Sequence, residues 1–361
     1  MSEFTANAPM LDWSALLAPH HARFDPDGGL LDFGDASAEL HTSLGDGGIM
    51  PLTNHGAIRV VGEDAAAFLQ AQLSQGVTDQ AITESRVAGL CSPKGRLLAV
   101  LRVLRLDDDD FLLLTHGSLI EALVKRLRMY VLRARVALQD FTPHLALWGV
   151  TGTGAIAVTE ATGTLPQGTG TVVHAGDTSV INFGGEPERF LVVAHARDAV
   201  GLWDALTRAS RPVTPAAWEL LSIRAGEPLV TSATAERFVP QQVNLELVGG
   251  VSFNKGCYPG QEVVARMHYR GKPSRRMFGL TAPEGGAVPS PGDSVVTADG
   301  ASAGEVVRAV AGPAGIEALA VLRVAYRDRQ DLRLADQPAG FAQLPYAVPM
   351  PDSDEEAAED S

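Results

Sequence analysis

Residues 240–277 concentrate the side chains of this sequence that could do chemistry. The run PQQVNLELVGGVSFNKGCYPGQEVVARMHYRGKPSRRM contains a cysteine, side-chain amides and several glycines. Between residues 255 and 276 it carries six cations and one acid, hence +5, in a chain with a formal net charge of −14. This asymmetry predicts an anion-binding site. The cations are Lys255, Arg266, Arg270, Lys272, Arg275 and Arg276, and the acid is Glu262.

Cys257 lies near the centre of this run. Gly256 and Gly260 flank it, a pattern that suits a tight turn bringing the backbone close to a ligand. The nearby ammonium of Lys255 favours the thiolate and predicts a reactive thiol. The alternative is a small buried hydrophobic residue, as free cysteines commonly are. No CxxC or HxxxH spacing accompanies Cys257, and therefore a metal site is not predicted.

Composition excludes several classes of protein. The chain has 361 residues, 45% of them hydrophobic, with 29 Lys and Arg against 43 Asp and Glu, as expected of a globular protein of two or three domains. Two cysteines cannot form a disulfide framework, and the first residues lack a signal-peptide core, so we expect a reducing cytoplasm. Charges interrupt every long apolar run, which excludes a membrane span.

The last ten residues, DSDEEAAEDS, hold six of the acids. Such a run of like charges predicts a solvated, disordered tail. The alternative is a segment that competes for the protein's own basic groove.

The hydrophobic pattern predicts both strands and helices, and a β-hairpin among them implies an antiparallel sheet. Residues 58–77 are expected to form a strand and then a helix, residues 96–116 a β-hairpin turning at four aspartates, and residues 118–140 a helix and then a strand. Residues 144–226 predict further strands and two helices. From Gly279 a small terminal β-barrel or sandwich is expected, and residues 1–50 predict a poorly ordered lead-in before short strands.

Two glycine-containing stretches imitate phosphate-binding loops. GTGAIA at residues 152–157 matches GxGxxG/A, but the strand–helix alternation of a parallel sheet and a well-placed acid about twenty residues later are missing. A domain-entry turn is therefore predicted. CSPKGR at residues 91–96 lacks the GK[ST] ending of a P-loop.

The octet KGCYPGQE at residues 255–262 resembles the signature of the YgfZ-type folate-binding proteins, relatives of the T-protein (aminomethyltransferase) of the glycine cleavage system. The resemblance extends through residues 237–276 and recurs in FLQAQLSQGV, CSPKGRLLA and KRLRMYVLRARV. It covers about Leu52 to Tyr346. It implies an α+β fold, a three-domain ring in which two mixed α/β domains with antiparallel sheets and a C-terminal β-barrel surround a central folate site.

The resemblance also implies domain boundaries. They are an N-terminal lead-in at 1–50, a first α+β domain at 51–143, a second α+β domain with the KGCYPGQE loop at 144–276, the β-barrel at 277–347 and the acidic tail at 348–361.

Members of this family are associated with tetrahydrofolate binding, with the assembly or repair of iron–sulfur enzymes and with tRNA modification that depends on such enzymes. The resemblance therefore implies tetrahydrofolate or a derivative as cofactor. It implies folate, iron–sulfur enzymes or assembly factors, and tRNA as partners. The implied site residues are Cys257 as catalytic thiol and, for folate binding, Trp218, Lys255, Tyr258, Gln261, Glu262, Arg266 and His55.

The resemblance implies Trp218 and His55 by their positions in the sequence. Trp218 lies 39 residues before Cys257, where family members place a folate-contacting tryptophan, and an indole can stack on a pterin. The alternative is a core aromatic residue on an amphipathic helix. His55 stands where some relatives have a second tryptophan.

One departure bears on catalysis. The T-protein places its catalytic aspartate in a Gly-Gly-Ile-x-Asp context, whereas the corresponding stretch here is KGRLL, with the aliphatic Leu98 in the place of the aspartate. Aminomethyl transfer by that carboxylate is therefore not predicted, and catalysis remains open. The main alternative function is a non-catalytic module whose basic run, with Tyr258 and Tyr269, binds tRNA or another anionic partner. A folate enzyme that uses Glu262 as acid or base is a third possibility, ranked below the folate-binding accessory protein and the anion-binding module.

Overall fold

The computed structural model describes residues 9–271 and 273–349, with the backbone only at Arg270. The predictions for Lys272 and for residues 350–361 of the acidic tail lie outside the described residues. The helices are α1 (Trp13–Leu17), α2 (Ala36–Gly45), α3 (Ala65–Gln72), α4 (Ile120–Val131), α5 (Thr153–Thr162), α6 (Ala196–Ala209), α7 (Ala216–Arg224) and α8 (Gln261–Arg270).

Strands occur between most of these helices, and seven strands follow α8 in the described chain. The strands are β1 (Arg23–Phe24), β2 (Leu30–Asp32), β3 (Gly47–Pro51), β4 (His55–Val61), β5 (Ser85–Cys91), β6 (Leu97–Asp107), β7 (Asp110–His116), β8 (Ala137–Asp140), β9 (Leu145–Gly152), β10 (Val172–Ala175), β11 (Thr178–Gly184), β12 (Arg189–His195), β13 (Arg275–Ala282), β14 (Ser294–Thr297), β15 (Ser302–Gly312), β16 (Gly315–Arg323), β17 (Leu332–Leu334), β18 (Gln337–Pro338) and β19 (Gly340–Ala342).

The described chain divides into two compact units. The first comprises residues 9–71, 76–88 and 101–221, and the second residues 72–75, 89–100 and those from 222 onward. The second unit thus contains part of the segment FLQAQLSQGV and the whole of both CSPKGRLLA and the KGCYPGQE octet. The domain boundaries implied by the family resemblance stay a prediction.

In the first unit an antiparallel sheet has the strand order β10-β11-β12-β9-β3. Strand β9 is buried along all but its last residue, because its continuous apolar run has both faces covered. Trp148 of β9 stacks on Trp203 of α6, with ring centroids 5.8 Å apart. This pair lies in the apolar core of the unit.

A second five-stranded sheet has the order β5-β6-β7-β4-β8. Its β6–β7 pair is the predicted hairpin, and Asp107 pairs with Asp110 across the turn. Helix α4 buries Leu123 and Leu127 while Lys125 and Arg128 are exposed, as its amphipathic pattern predicted. The strand–helix prediction for residues 58–77 is confirmed by β4 and α3.

In the second unit, seven strands form an antiparallel sheet in the order β18-β17-β14-β15-β16-β13-β19. Alternate residues of β13, β15 and β16 enclose an apolar core that includes Leu280, Val306 and Leu322. The strand-rich terminal region predicted from Gly279 onward is therefore confirmed.

The structure differs from the predicted backbone at three places. Residues 9–50 contain the predicted short strands β1 and β2 but also helices α1 and α2, because the side chains of Asp12 and Asp35 accept hydrogen bonds from the first backbone N–H groups of these helices. The GTGAIA stretch begins the ten-residue helix α5, not a turn. The predicted turn around Cys257 is followed directly by helix α8, which the sequence pattern did not predict. In each case a turn residue serves as the helix start.

No helix within residues 9–271 and 273–349 is long and apolar enough to cross a membrane.

A buried ion pair joins β13 to the segment before the octet. The side chains of Arg276 and Glu246 are 6% and 11% exposed and form a salt bridge. Arg276 Nη1 also donates to the carbonyl of Gln241 at 2.8 Å, and Asn244 Nδ2 donates to the carbonyl of Met277 at 2.8 Å. Because these groups are out of water, removing one leaves the others unpaired.

We expect Arg276→Ala to lower the free energy of unfolding by about 3–5 kcal/mol, because it leaves the Glu246 carboxylate buried without its cation. Urea denaturation followed by circular dichroism measures this change. The control is Arg275→Ala, which removes the adjacent exposed arginine and should change the free energy by less than about 0.5 kcal/mol. Equal midpoints for the two variants would contradict the assigned role of the ion pair.

Candidate functional site

The candidate site lies in the second unit and begins with the short stretch 72–75 that follows α3. Ser74 is fully buried, and its hydroxyl donates to the carbonyl of Gly250 at 2.6 Å and accepts from the backbone N–H of Gly89 at 2.7 Å. Its carbonyl accepts from the backbone N–H of Ser252 at 2.9 Å. One serine therefore connects three stretches of chain that are far apart in sequence.

Lys255 fastens the octet to the same stretch. Its ammonium donates to the carbonyl of Leu73, and to that of Gln75 at 3.2 Å. It also lies 5.2 Å from the centroid of the Tyr258 ring. Burial lowers the pKa of Lys255 to about 8, while the two carbonyls favour the charged form. The first residue of the octet is thus bound to backbone carbonyls.

Two glycines bring the octet against the CSPKGR turn. Gly260 precedes α8 with a φ of +80°, and a Cβ there would lie 2.5 Å from the carbonyl oxygen of Ser92. Gly95, with a φ of +71°, would place a Cβ 2.7 Å from that of Val263. Both positions need glycine for its left-handed backbone and for the close backbone approach. The two family segments therefore meet through their glycines.

The two thiols of the chain have opposite environments. Cys257 is exposed, so the alternative prediction of a small buried hydrophobic residue is wrong for it. Cys91 is the buried cysteine, and burial raises the pKa of its thiol to about 12. Tyr258 is 7% exposed, and burial, with Cys91 nearby, raises its pKa. Cys257 is therefore the thiol that a partner can reach.

Helix α8 presents the remaining residues of the octet. Gln261 is half-buried, whereas Glu262 and Arg266 are exposed. Glu262 and Arg266 are four residues apart and share one face of the helix.

The six cations of the basic run have different roles. Arg276 is buried in its ion pair, and Lys255 is bound to carbonyls. Arg266 and Arg275 are exposed, and neither has an ion pair with the described residues. The side chain of Arg270 and the whole of Lys272 lie outside the described residues. Tyr258 is also buried, so the predicted anion-binding surface cannot include its ring or the side chain of Arg276.

Trp218 and His55 lie in the first unit. Trp218 is 3% exposed, and a Cβ on Gly149 would lie 2.2 Å from its ring. The guanidinium of Arg189 lies 5.3 Å from the indole centroid, and Phe183 meets the ring edge-on at 5.1 Å. The indole is thus a core side chain in this conformation, and its predicted contact with folate stays a prediction.

His55 is half-buried at the start of β4. Its Nδ1 lies 2.8 Å from Oδ1 of Asn54, and the residue pairs with His116 of β7. Its predicted contact with folate also stays a prediction.

Sequence reasoning missed the residues that hold the octet in place, namely Ser74 and the carbonyls of residues 73 and 75. It also missed the burial of Arg276 and the aromatic contacts of Phe253. The recurrence of FLQAQLSQGV in the family resemblance was the signal for Ser74, but its pairing with Gly250 is visible only in three dimensions.

No group of three or more His, Cys, Asp or Glu residues arranged to hold a metal ion is found in the part of the chain that the structure describes.

The sequence and the fold were compared with those of known proteins. The GCVT N-terminal domain matches residues 32–249. The fold superposes on aminomethyltransferase T of the glycine cleavage system from Bartonella henselae with a TM-score of 0.68 and 19% identity, over 90% of this chain and 94% of that one. The fold is therefore that of a T-protein, with antiparallel mixed α/β sheets and a curled C-terminal half-barrel sheet, as predicted.

Curated relatives show which family of T-protein relatives the chain belongs to. The tRNA-modifying protein YgfZ of Shigella sonnei is 32% identical over 261 residues, which are 72% of this chain and 78% of that protein. Its namesake from Colwellia psychrerythraea is 32% identical over 237 residues, 65% of this chain and 71% of that protein. The chain belongs to the YgfZ family of T-protein relatives, which confirms the resemblance carried by the octet.

We expect Gly260→Ala to lower the free energy of unfolding by more than about 1–2 kcal/mol, because the side chain meets both a left-handed backbone and the Ser92 carbonyl. Hydrogen exchange should show faster exchange of α8 amides. Gly256→Ala is the matched control within the octet, since a Cβ there meets nothing within 4 Å. It should change stability by less than about 1 kcal/mol. Indistinguishable exchange in the two variants would refute the glycine contact.

Proposed function

We propose that this chain is a tetrahydrofolate-binding accessory protein that supports iron–sulfur enzymes and, through them, tRNA modification. The observation that carries the proposal is the assembled octet. Lys255 and Gly260 hold it against two distant segments, and Cys257 remains exposed. The shared name of the relatives supports the link to tRNA, and the GCVT domain supports the link to folate.

The residues of α8 suit the glutamate end of a folate. That end carries carboxylates, which guanidinium groups bind with charge-assisted hydrogen bonds. Arg266 is exposed, and the half-buried Gln261 adds an amide N–H on the same helix. The pterin end fits less well, because the covered indole of Trp218 offers no open face until its neighbours move. We therefore assign the glutamate chain to α8.

Bound tetrahydrofolate supplies a carrier for one-carbon units. The protein contributes position and charge. In this proposal Lys255 holds the loop, since its ammonium already contacts two carbonyls, and Arg266 attracts the carboxylates. Leu98 lies half-buried in β6, where the T-protein pattern places an aspartate, so we propose no aminomethyl transfer. Cys257 is the group that meets an iron–sulfur partner, as nucleophile, redox thiol or transient cluster contact.

Anaerobic calorimetry tests the folate part of the proposal. We expect saturable binding of tetrahydrofolate that becomes tighter with a polyglutamate tail. Arg266→Ala should weaken binding of the polyglutamate form about tenfold, because it removes a charge-assisted hydrogen bond. Arg333→Ala, an exposed arginine of β17, removes the same charge and should leave binding unchanged. Absence of binding to folded wild-type protein would overturn the folate assignment.

Deletion of the gene in its own host tests the tRNA part. Mass spectrometry of nucleosides from total tRNA should show a several-fold loss of nucleosides made by iron–sulfur enzymes. Wild-type protein should restore them, and Cys257→Ala should not, although it folds normally. Cys91→Ala removes the other, buried thiol and should restore them. An unchanged nucleoside profile would overturn the tRNA role, and full rescue by Cys257→Ala would overturn the thiol role.

A further inference from the structure

Three aromatic rings form a cluster between the loop before the octet and the end of α8. Phe253 stacks on His268, with centroids 3.7 Å apart and planes at 13°. Tyr269 meets His268 edge-on at 4.8 Å and Phe253 at 6.2 Å. We call these three residues the aromatic platform.

The platform is open to solvent. Tyr269 is 67% exposed, His268 is exposed and Phe253 is half-buried. Tyr269 meets both neighbours at steep interplanar angles, 76° to His268 and 70° to Phe253, and most of its surface is open to solvent. An exposed aromatic ring is the feature on which unpaired nucleobases stack when they bind proteins.

Positive charge accompanies the platform. Arg266 precedes Tyr269 by three residues, which places the two side chains next to each other on the helix surface. Arg275 is also exposed, a few residues beyond the helix. These exposed cations occur in a chain with a net charge of −14, so the local charge is opposite to that of the whole protein. Ring faces beside guanidinium groups complement a base and its phosphate.

We propose that the aromatic platform is a stacking site for an unpaired base of RNA, with Arg266 contacting the adjacent phosphate when no folate glutamate occupies it. The inference rests on the proposed role in tRNA modification and names the surface and the part of the RNA that it binds. Cys257 is exposed on the loop that links Phe253 to α8, so RNA bound here would lie on the same segment as this thiol.

A pterin is also a flat heteroaromatic ring, but the platform favours a base. Small ligands bind in concave sites that bury most of their surface. Tyr269 instead lies on an open helix face. A pterin stacked there would bury little of its surface, whereas an RNA strand would make additional contacts along its length. A polynucleotide therefore fits this surface better than free folate.

Fluorescence titration tests the inference with a single-stranded RNA of about 12 nucleotides that carries one 2-aminopurine, a base whose emission falls on stacking. We expect wild-type protein to quench the probe. Tyr269→Ala should weaken binding about 5- to 100-fold, the effect of losing one stacked base. Tyr269→Phe keeps the ring and should stay within about twofold of wild type. Arg266→Ala should reduce the dependence of log affinity on log salt by about one.

Tyr130→Ala is the matched control, because Tyr130 is a partly exposed tyrosine of α4 outside the platform, and it should bind RNA like wild type. Equal affinities of wild type and Tyr269→Ala would overturn the inference, as would absence of RNA binding. Displacement of the probe from Arg266→Ala protein by stoichiometric tetrahydrofolate would assign the platform to pterin and also overturn it, because this variant lacks the proposed contact with the folate glutamates. The nucleoside profile of the deletion strain is independent of these results and separately decides the proposed function.

Discussion

The architecture of the second unit depends on satisfying the buried backbone groups of residues 73–75. Buried carbonyls need donors, and here the donor to two of them is the ammonium of Lys255, while Ser74 links Gly89 with Gly250. A lysine suits this task because one compact ammonium carries three N–H groups. Its desolvation is tolerated because the carbonyls stabilise the charge. This attachment holds the first residue of the octet against residues 73–75.

Two glycines add a second attachment of the octet, besides that of the Lys255 ammonium. The backbone of the octet approaches the CSPKGR turn so closely that no side chain fits at Gly260 or Gly95. Helix α8 therefore begins at a defined place, with Glu262 in its first turn, where an acid is favoured by the helix dipole. Two segments separated by about 160 residues meet through the backbone at Gly260 and Ser92 and through the side chain of Val263 at Gly95.

Within the second unit, buried polar side chains stabilise the fold, and exposed side chains of similar type are available to ligands. The cation Arg276, the thiol of Cys91 and the phenol of Tyr258 are buried and hold the fold. Residues of similar type that remain exposed, Arg266, Cys257 and Tyr269, are the ones a ligand can reach. Because desolvation raises the pKa of a buried thiol or phenol, the buried residues are also the less reactive ones. This division supports both proposals, whose principal groups, Arg266, Cys257 and Tyr269, are exposed.

Local patterns in the sequence determined the β6–β7 hairpin, the amphipathic helix α4, the strands after Gly279 and, through KGCYPGQE, the family. They failed where a turn residue served as a helix cap, as at Asp12 and Asp35, because the same side chain suits both structures. Which cations and aromatics are exposed was decided only by the tertiary structure. Arg275 and Arg276 are neighbours of one type, yet strand alternation exposes the first and buries the second against Glu246. Burial depends on partners distant in sequence, and local spacing does not encode them.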